Sequence, residues 1–196
     1  PESAWLKGHR SEATIVFIDI RGFSTYSEVK EPEEIVEKLN QYFEIATQVI
    51  QDYGGYVDTF LGDAVLGVFG VPVYHENHVL RAVSAASDMQ KAFFEKHENE
   101  NDLLQSVGIG INTGVVVSGN IGSQNRMEYT VIGDSVNLAA HIYRLANPGQ
   151  IVISKSVYIH LKEMLEVEPL PPQYIKGQSE PVETFRLLDI RENHHV

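Results

Sequence analysis

Apolar residues in this chain recur in two rhythms. Short runs rich in Val, Ile, Phe and Tyr, with Gly or Asn at their junctions, predict strands over residues 13–19, 56–61, 64–69, 106–112, 115–121, 128–132, 150–154 and 182–188. Other stretches place apolar residues at three- and four-residue steps, the period of a half-buried helix. The first starts at Pro32, with Glu33 and Glu34 in its opening turn, carries Ile35, Leu39, Phe43, Ala46 and Ile50 inward, and stops at Gly54-Gly55. A second runs from about Asn77 to Lys96 with Val79, Ala82, Val83, Ala86, Met89 and Phe93 inward. A third follows Asp134 and carries Val136, Ala139, Ala140 and Tyr143; a fourth spans roughly Lys155 to Leu165. Leu61-Gly62-Asp63-Ala64, between two strands, predicts a tight hairpin with Asp63 at its tip. Strands mixed with helices in this way predict an α+β fold, a sheet covered by helices.

Composition narrows the class without deciding it. The 196 residues suit one domain with its own core, and 43% hydrophobic content excludes a disordered chain. No apolar run is long enough to span a bilayer, so no membrane contact is expected from this segment. The absence of cysteine excludes disulfides and thiolate metal sites and suits a reducing compartment, so a cytoplasmic location is expected. Fifteen basic against 27 acidic side chains give a net charge of −12, with no basic stripe; nucleic acid is a poor partner for such a surface. The acidic stretch from Glu95 to Asp102 reads as a solvated helix end and loop. Residues 1–11 read as a linker from an upstream region, because the chain opens on Pro1-Glu2-Ser3-Ala4-Trp5 without Met, and residues 191–196 read as a frayed tail.

Two aspartates stand out against this background. Asp19 ends the run Thr14-Ile15-Val16-Phe17-Ile18, and Asp63 sits between Tyr56–Gly62 and Ala64–Phe69. A carboxylate among core residues is costly to bury alone, and two brought together repel unless a cation lies between them. A divalent metal bound to a phosphate substrate resolves both costs, since Mg²⁺ takes one or two carboxylates and completes its shell with phosphate oxygens. Taken singly, an Asp after a strand is more often a turn residue than a ligand.

The segments around these aspartates resemble the catalytic domain of class III nucleotidyl cyclases. Asp19-Ile20-Arg21-Gly22-Phe23-Ser24 is similar to the family's first metal motif and Phe60-Leu61-Gly62-Asp63 to its second. Gly110-Ile111-Asn112-Thr113-Gly114 resembles the central strand pair, and Tyr129 through Ala140 the substrate and transition-state motif. Ile175-Lys176-Gly177 and Pro181-Val182-Glu183 match the closing segment. Several spaced motifs in order identify a family far better than one short pattern. The resemblance implies a catalytic domain over residues 12–190, a ferredoxin-like, cyclase-type sandwich with a mostly antiparallel sheet. It implies a reaction in which the ribose 3′ oxygen of a nucleoside triphosphate attacks the α-phosphorus and pyrophosphate leaves. Two divalent cations, Mg²⁺ or Mn²⁺, would activate the hydroxyl and clamp the phosphates, held by Asp19, Asp63 and the backbone carbonyl of Ile20. Gly22 and Phe23 would present backbone N–H groups to phosphate. Asn137 would orient the ribose, Thr130 would read the adenine amino group, and Lys176 would contact the terminal phosphates. A solitary Asn, Thr or Lys at such places is ordinarily a cap, a strand residue or a solvated charge; the surrounding motif carries the functional reading. Family sites form between two subunits, so a homodimer, or a heterodimer with a complementary chain, is implied.

Two positions depart from the family pattern. Thr59 stands where adenylyl cyclases carry a purine-reading Lys, and His141 where they carry an Arg that neutralises the α-phosphate. An imidazolium at His141 can substitute for that Arg in a pH-dependent way. Arg144, seven residues after Asn137, shares its helix face by spacing and could reach toward the phosphates from one turn away. The expected function is therefore conversion of ATP to cyclic AMP and pyrophosphate, weakened at Thr59 and His141. The alternative is a regulatory pseudo-cyclase, or the metal-binding half of a heterodimeric cyclase. A diguanylate cyclase is disfavoured, because no Gly-Gly-Asp/Glu-Glu-Phe signature occurs.

Overall fold

A computed structural model describes residues 8–191. Most of the expected linker and tail therefore lies outside the described residues, although His9–Ser11, read as linker, already belong to the first strand. The chain folds as β1 (His9–Ile20), α1 (Phe23–Val29), α2 (Pro32–Asp52), β2 (Tyr56–Leu61), β3 (Ala64–Phe69), α3 (His78–Lys96), β4 (Val107–Ser123), β5 (Arg126–Ile132), α4 (Asp134–Ile142), β6 (Ile151–Ser154), α5 (Lys155–Leu161), β7 (Leu165–Pro169) and β8 (Thr184–Ile190). The strands form one sheet in the order β2-β3-β1-β4-β6-β8-β7, with β5 paired to the far half of β4. Every pairing is antiparallel except β4 with β6, so the expected α+β sandwich with a mostly antiparallel sheet is found.

β1 is central and buried on both faces, which explains its uninterrupted apolar run. Val16, Ile18 and Ile20 join the larger core with α2 and α3; Ala13, Ile15 and Phe17 join a second core that includes Ala139 of α4. α3 buries all six residues expected to face inward. α2 buries Ala46 and Ile50 as expected, but Tyr42, not Phe43, is the fully buried residue of the turn before them. The reason is a hydrogen bond, since the Tyr42 hydroxyl donates to the Ile18 carbonyl at 3.0 Å and so pins the end of β1. Phe43 stays half-buried against Phe60, ring centroids 4.7 Å apart.

Four expectations need correction. The strands read as 106–112 and 115–121 are one strand, β4, running without a break through Gly114. Gly114 marks a close approach instead: a Cβ there would lie 2.3 Å from the Ser135 hydroxyl in the first turn of α4. The fourth helix stops at Leu161, a 3₁₀ turn follows, and Leu165–Pro169 form the unanticipated strand β7, tied to β8 by an Arg186–Glu168 ion pair at 2.6 Å. The last strand is Thr184–Ile190, with Val182 only bridging to Gln173. Asp102 is not a solvated loop residue. It is buried and accepts from Lys38 Nζ at 2.7 Å and from the backbone N–H groups of Glu98 (2.9 Å) and Leu104 (3.0 Å). Burial alone would push its carboxyl up, but these donors outweigh it and hold the group below its ordinary value.

Gly110 sets the spacing between β4 and the end of α4. A Cβ at this position would meet the Tyr143 backbone nitrogen at 2.3 Å and its Cα at 2.4 Å, atoms that cannot turn aside. Gly110→Ala is expected to destabilise the fold by about 1–3 kcal/mol, read as a lower urea midpoint with an unchanged slope. An unaltered midpoint would show that α4 is not held at this contact.

Candidate active site

The two aspartates of the sequence reading converge. Asp19 is the penultimate residue of β1 and pairs in register with Gly108. Asp63 occupies the second position of the two-residue loop between β2 and β3. Gly62, the first position, has φ +65°, while among the described residues no residue other than glycine, Asp63 included, has positive φ; this is the pattern of a type II′ hairpin and the reason for the Gly-Asp order. That turn brings the Asp63 carboxylate back over β1, where it accepts from the Ile20 amide at 3.3 Å. Asp19, Ile20, Arg21, Gly22, Phe23, Ser24 and Asp63 together line a cleft of about 220 Å³. Gly22 adopts φ +75° at the entry to α1, turning the chain sharply beneath the carboxylates.

The electrostatics of the cleft are unfavourable as they stand. Burial, and then the neighbouring Asp63 carboxylate, push Asp19 well above the usual carboxylate range. Among the described residues the cation paired with Asp19 is Arg21, 4.0 Å away at its closest. Its guanidinium is engaged elsewhere: it donates to the Tyr143 carbonyl and lies over the Tyr143 ring at 5.4 Å from the centroid. Arg21 therefore relieves the carboxylates only in part. The buried Tyr42 hydroxyl below them is raised well above its ordinary value by burial and by the charges of Asp19 and Asp63. Two converging carboxylates, without a third His, Asp or Glu clustered with them among the described residues, match the donor set of a cation that also binds substrate oxygens.

The other residues singled out from the sequence do not line this cleft. Thr59 lies in β2 beside a bulge, and Thr130 lies in β5, paired with Gly119 of β4, eleven residues beyond the register position of Asp19. Asn137 is exposed and His141 half-exposed on α4. α4 ends at Ile142, so the helix face extrapolated from Asn137 to Arg144 does not continue; Arg144 is in a 3₁₀ turn, with its guanidinium 5.9 Å from the centre of the Tyr143 ring. Lys176 is exposed in the turn closed by a hydrogen bond from Gln178 N–H to the Ile175 carbonyl at 3.1 Å. Residues not anticipated from the sequence shape this region. Buried Asn112 donates to the Ser135 carbonyl at 2.9 Å and accepts from the Ser156 hydroxyl at 3.0 Å, fastening the start of α4, and with it Asn137, to β4. Tyr42 likewise gave no local signal.

The model of the Adenylate and Guanylate cyclase catalytic domain matches residues 7–189. The chain belongs to this family. It is 30% identical over 193 residues to adenylate cyclase 1 of Rhizobium meliloti (strain 1021), covering 96% of this chain and 28% of that protein. Its fold matches the crystal structure of the adenylyl cyclase CyaB from P. aeruginosa with a TM-score of 0.86 at 32% identity, over 94% of this chain and 97% of that one. It matches the guanylyl cyclase Cya2 equally well, TM-score 0.86 at 36% identity, over 96% and 98% of the two chains. The cyclase domain thus spans about a third of the length of the curated relatives it matches. Among the described residues no helix is long and apolar enough to cross a membrane.

The raised Asp19 makes a prediction with a definite sign. An acid whose folded value exceeds its ordinary value of 3.8 destabilises the fold, and the penalty grows as pH rises from 3.8 through the folded value. Asp63→Asn removes one cause of the shift. In EDTA it should stabilise the domain by about 1–3 kcal/mol at pH 8 and leave it unchanged at pH 4. Thermal melts at the two pH values test this; an equal effect at both would remove the charge repulsion from the account.

Proposed function

We propose that this domain converts ATP to 3′,5′-cyclic AMP and pyrophosphate, acting as a dimer with divalent cations. The observation that carries the reading is the convergence of Asp19 and Asp63 at the mouth of a cleft whose charge no side chain fully neutralises. Asp19, Asp63 and the Ile20 carbonyl would hold Mg²⁺ or Mn²⁺, which when bound supplies a more acidic ribose hydroxyl and charge neutralisation on the polyphosphate. The chain's own groups do the rest. Gly22 and Phe23 bring backbone against the phosphates, Lys176 approaches the terminal phosphates, and Asn137 orients the ribose. His141 faces the α-phosphate in place of the usual Arg, with Arg144 as a second cation nearby. Thr59 and Thr130 flank the purine.

The dimer is supported by what the aspartate cleft lacks. Thr130, Asn137 and His141 do not line the cleft that holds Asp19 and Asp63. A second copy can present Thr130 and α4 to the aspartates of the first. Val115, Ile121, Met127 and Ile132 expose apolar surface on or beside the β4–β5 ribbon, where such a partner would sit. Adenine over guanine is supported by Thr130, whose hydroxyl can accept from an exocyclic amine. The second reading, a regulatory pseudo-cyclase or the metal-bearing half of a heterodimer, is favoured by Thr59 and His141, which both belong to the partner-facing half.

Purified domain with Mn²⁺ and ATP should yield cyclic AMP slowly, and Asp63→Ala should abolish it. Thr59→Lys combined with His141→Arg should raise the rate by about a hundredfold, the scale of one well-placed charge at a phosphoryl transition state. Absence of product from both the native domain and the double variant would overturn the enzymatic reading in favour of the second.

A further inference from the structure

β2 contains one residue more than its partner strand needs. Val57 pairs with Gly67 and Thr59 with Leu66, which leaves Asp58 as the extra residue of a bulge. Bulges re-aim a side chain. Here the Asp58 carboxylate reaches across to β5, where its Oδ2 accepts a hydrogen bond from the Thr130 hydroxyl at 2.8 Å. Its other oxygen accepts from the Tyr56 hydroxyl at 3.3 Å. The surroundings keep this arrangement fixed: Asp58 and Thr130 are half-buried, and the Tyr56 ring packs edge-on against Tyr129 with centroids 5.7 Å apart.

A threonine hydroxyl has one hydrogen to give and two lone pairs to offer. With its hydrogen committed to Asp58, Thr130 can only accept. An acceptor suits the 6-amino group of adenine and opposes the 6-carbonyl of guanine, which needs a donor. A free hydroxyl would rotate to satisfy either base. We infer that Asp58 is a positioning residue that locks Thr130 as a hydrogen-bond acceptor and so sets the preference for a 6-amino over a 6-oxo purine. The inference rests on the proposed placement of the purine at Thr130. It adds a selective element to a site that lacks the usual lysine at position 59.

The test is the ratio of kcat/KM for ATP to that for GTP, with competition by non-hydrolysable ATP and GTP analogues against a fluorescent nucleotide as a readout free of turnover. Asp58→Ala should lower the ATP preference about tenfold in both measurements, the worth of one hydrogen bond gained or lost. Asp58→Asn offers one oxygen to two donors and should give an intermediate ratio; it also serves if the alanine variant does not fold. In a Thr130→Val background, Asp58→Ala should leave the ratio where Thr130→Val puts it, because the two act through one hydroxyl. An unchanged ratio, an equal loss toward both nucleotides, or an independent effect in the Thr130→Val background would each overturn the inference. A native domain that makes no cyclic product, with the binding ratio still shifted as expected by Asp58→Ala, would overturn the proposed catalysis and uphold the role of Asp58. A native domain that binds neither nucleotide would overturn both.

Discussion

Two carboxylates held against each other at one end of a sheet are the constraint around which this domain is organised. Neither strand end would adopt this arrangement for stability. The Asp63 turn could hold any small polar residue, and Asp19 could be a solvated strand terminus. Instead the Gly62 turn folds Asp63 back toward β1 until it accepts from the Ile20 amide. Tyr42 fixes β1 from beneath through the Ile18 carbonyl, and Arg21 is tied to Tyr143 rather than closed fully onto Asp19. The surrounding hydrogen bonds therefore hold the backbone in place while leaving the carboxylates short of positive charge. Strain kept at a site by over-determined surroundings is how functional geometry persists against its own cost.

The parts of this fold that were legible in the sequence are those set by local rules. The Gly62-Asp63 hairpin needs positive φ at one position and nothing distant. α3 buries the stripe its spacing announces, and β1 shows its burial on two faces as an unbroken apolar run. The parts that were not legible depend on partners far along the chain. Gly114 looked like a strand junction because glycine usually breaks strands; it is there because Ser135 passes over it. Asp102 looked solvated beside Glu98 and Glu100, yet Lys38, 64 residues away in sequence, draws it into the core. Tyr42 is the fully buried residue beside half-buried Phe43, its hydroxyl held by one carbonyl on β1. β7 alternates apolar and acidic residues over only five positions, too few to stand out until β8 pairs with it.

The candidate site shows the same division. Asp19 and Asp63 could be paired from sequence because burying one acid is costly and burying two demands a common reason. Asp58 could not, because its role depends on a bulge, and a single extra residue in a strand leaves no mark in composition or period. Yet the bulge decides where the carboxylate goes: with regular pairing, Asp58 would take the alternate face from Thr59 and continue the pleat, with no reason to meet β5.

Both departures from the family pattern, Thr59 and His141, fall outside the aspartate cleft, on β2 and α4. The cleft itself keeps both acids, its glycine turn and its supporting hydroxyl. A domain losing function without constraint would be expected to lose the destabilising half first, because replacing a repelling acid costs nothing in stability and is rewarded by it. The opposite pattern is found. The energetically costly carboxylates remain, while the departures fall at the two positions proposed to face the base and the transferring phosphate. Retention of a stability cost argues for continued use of the cleft that incurs it and, on the proposed placement of the nucleotide, locates any change of specificity or rate in the half that carries Thr59 and His141.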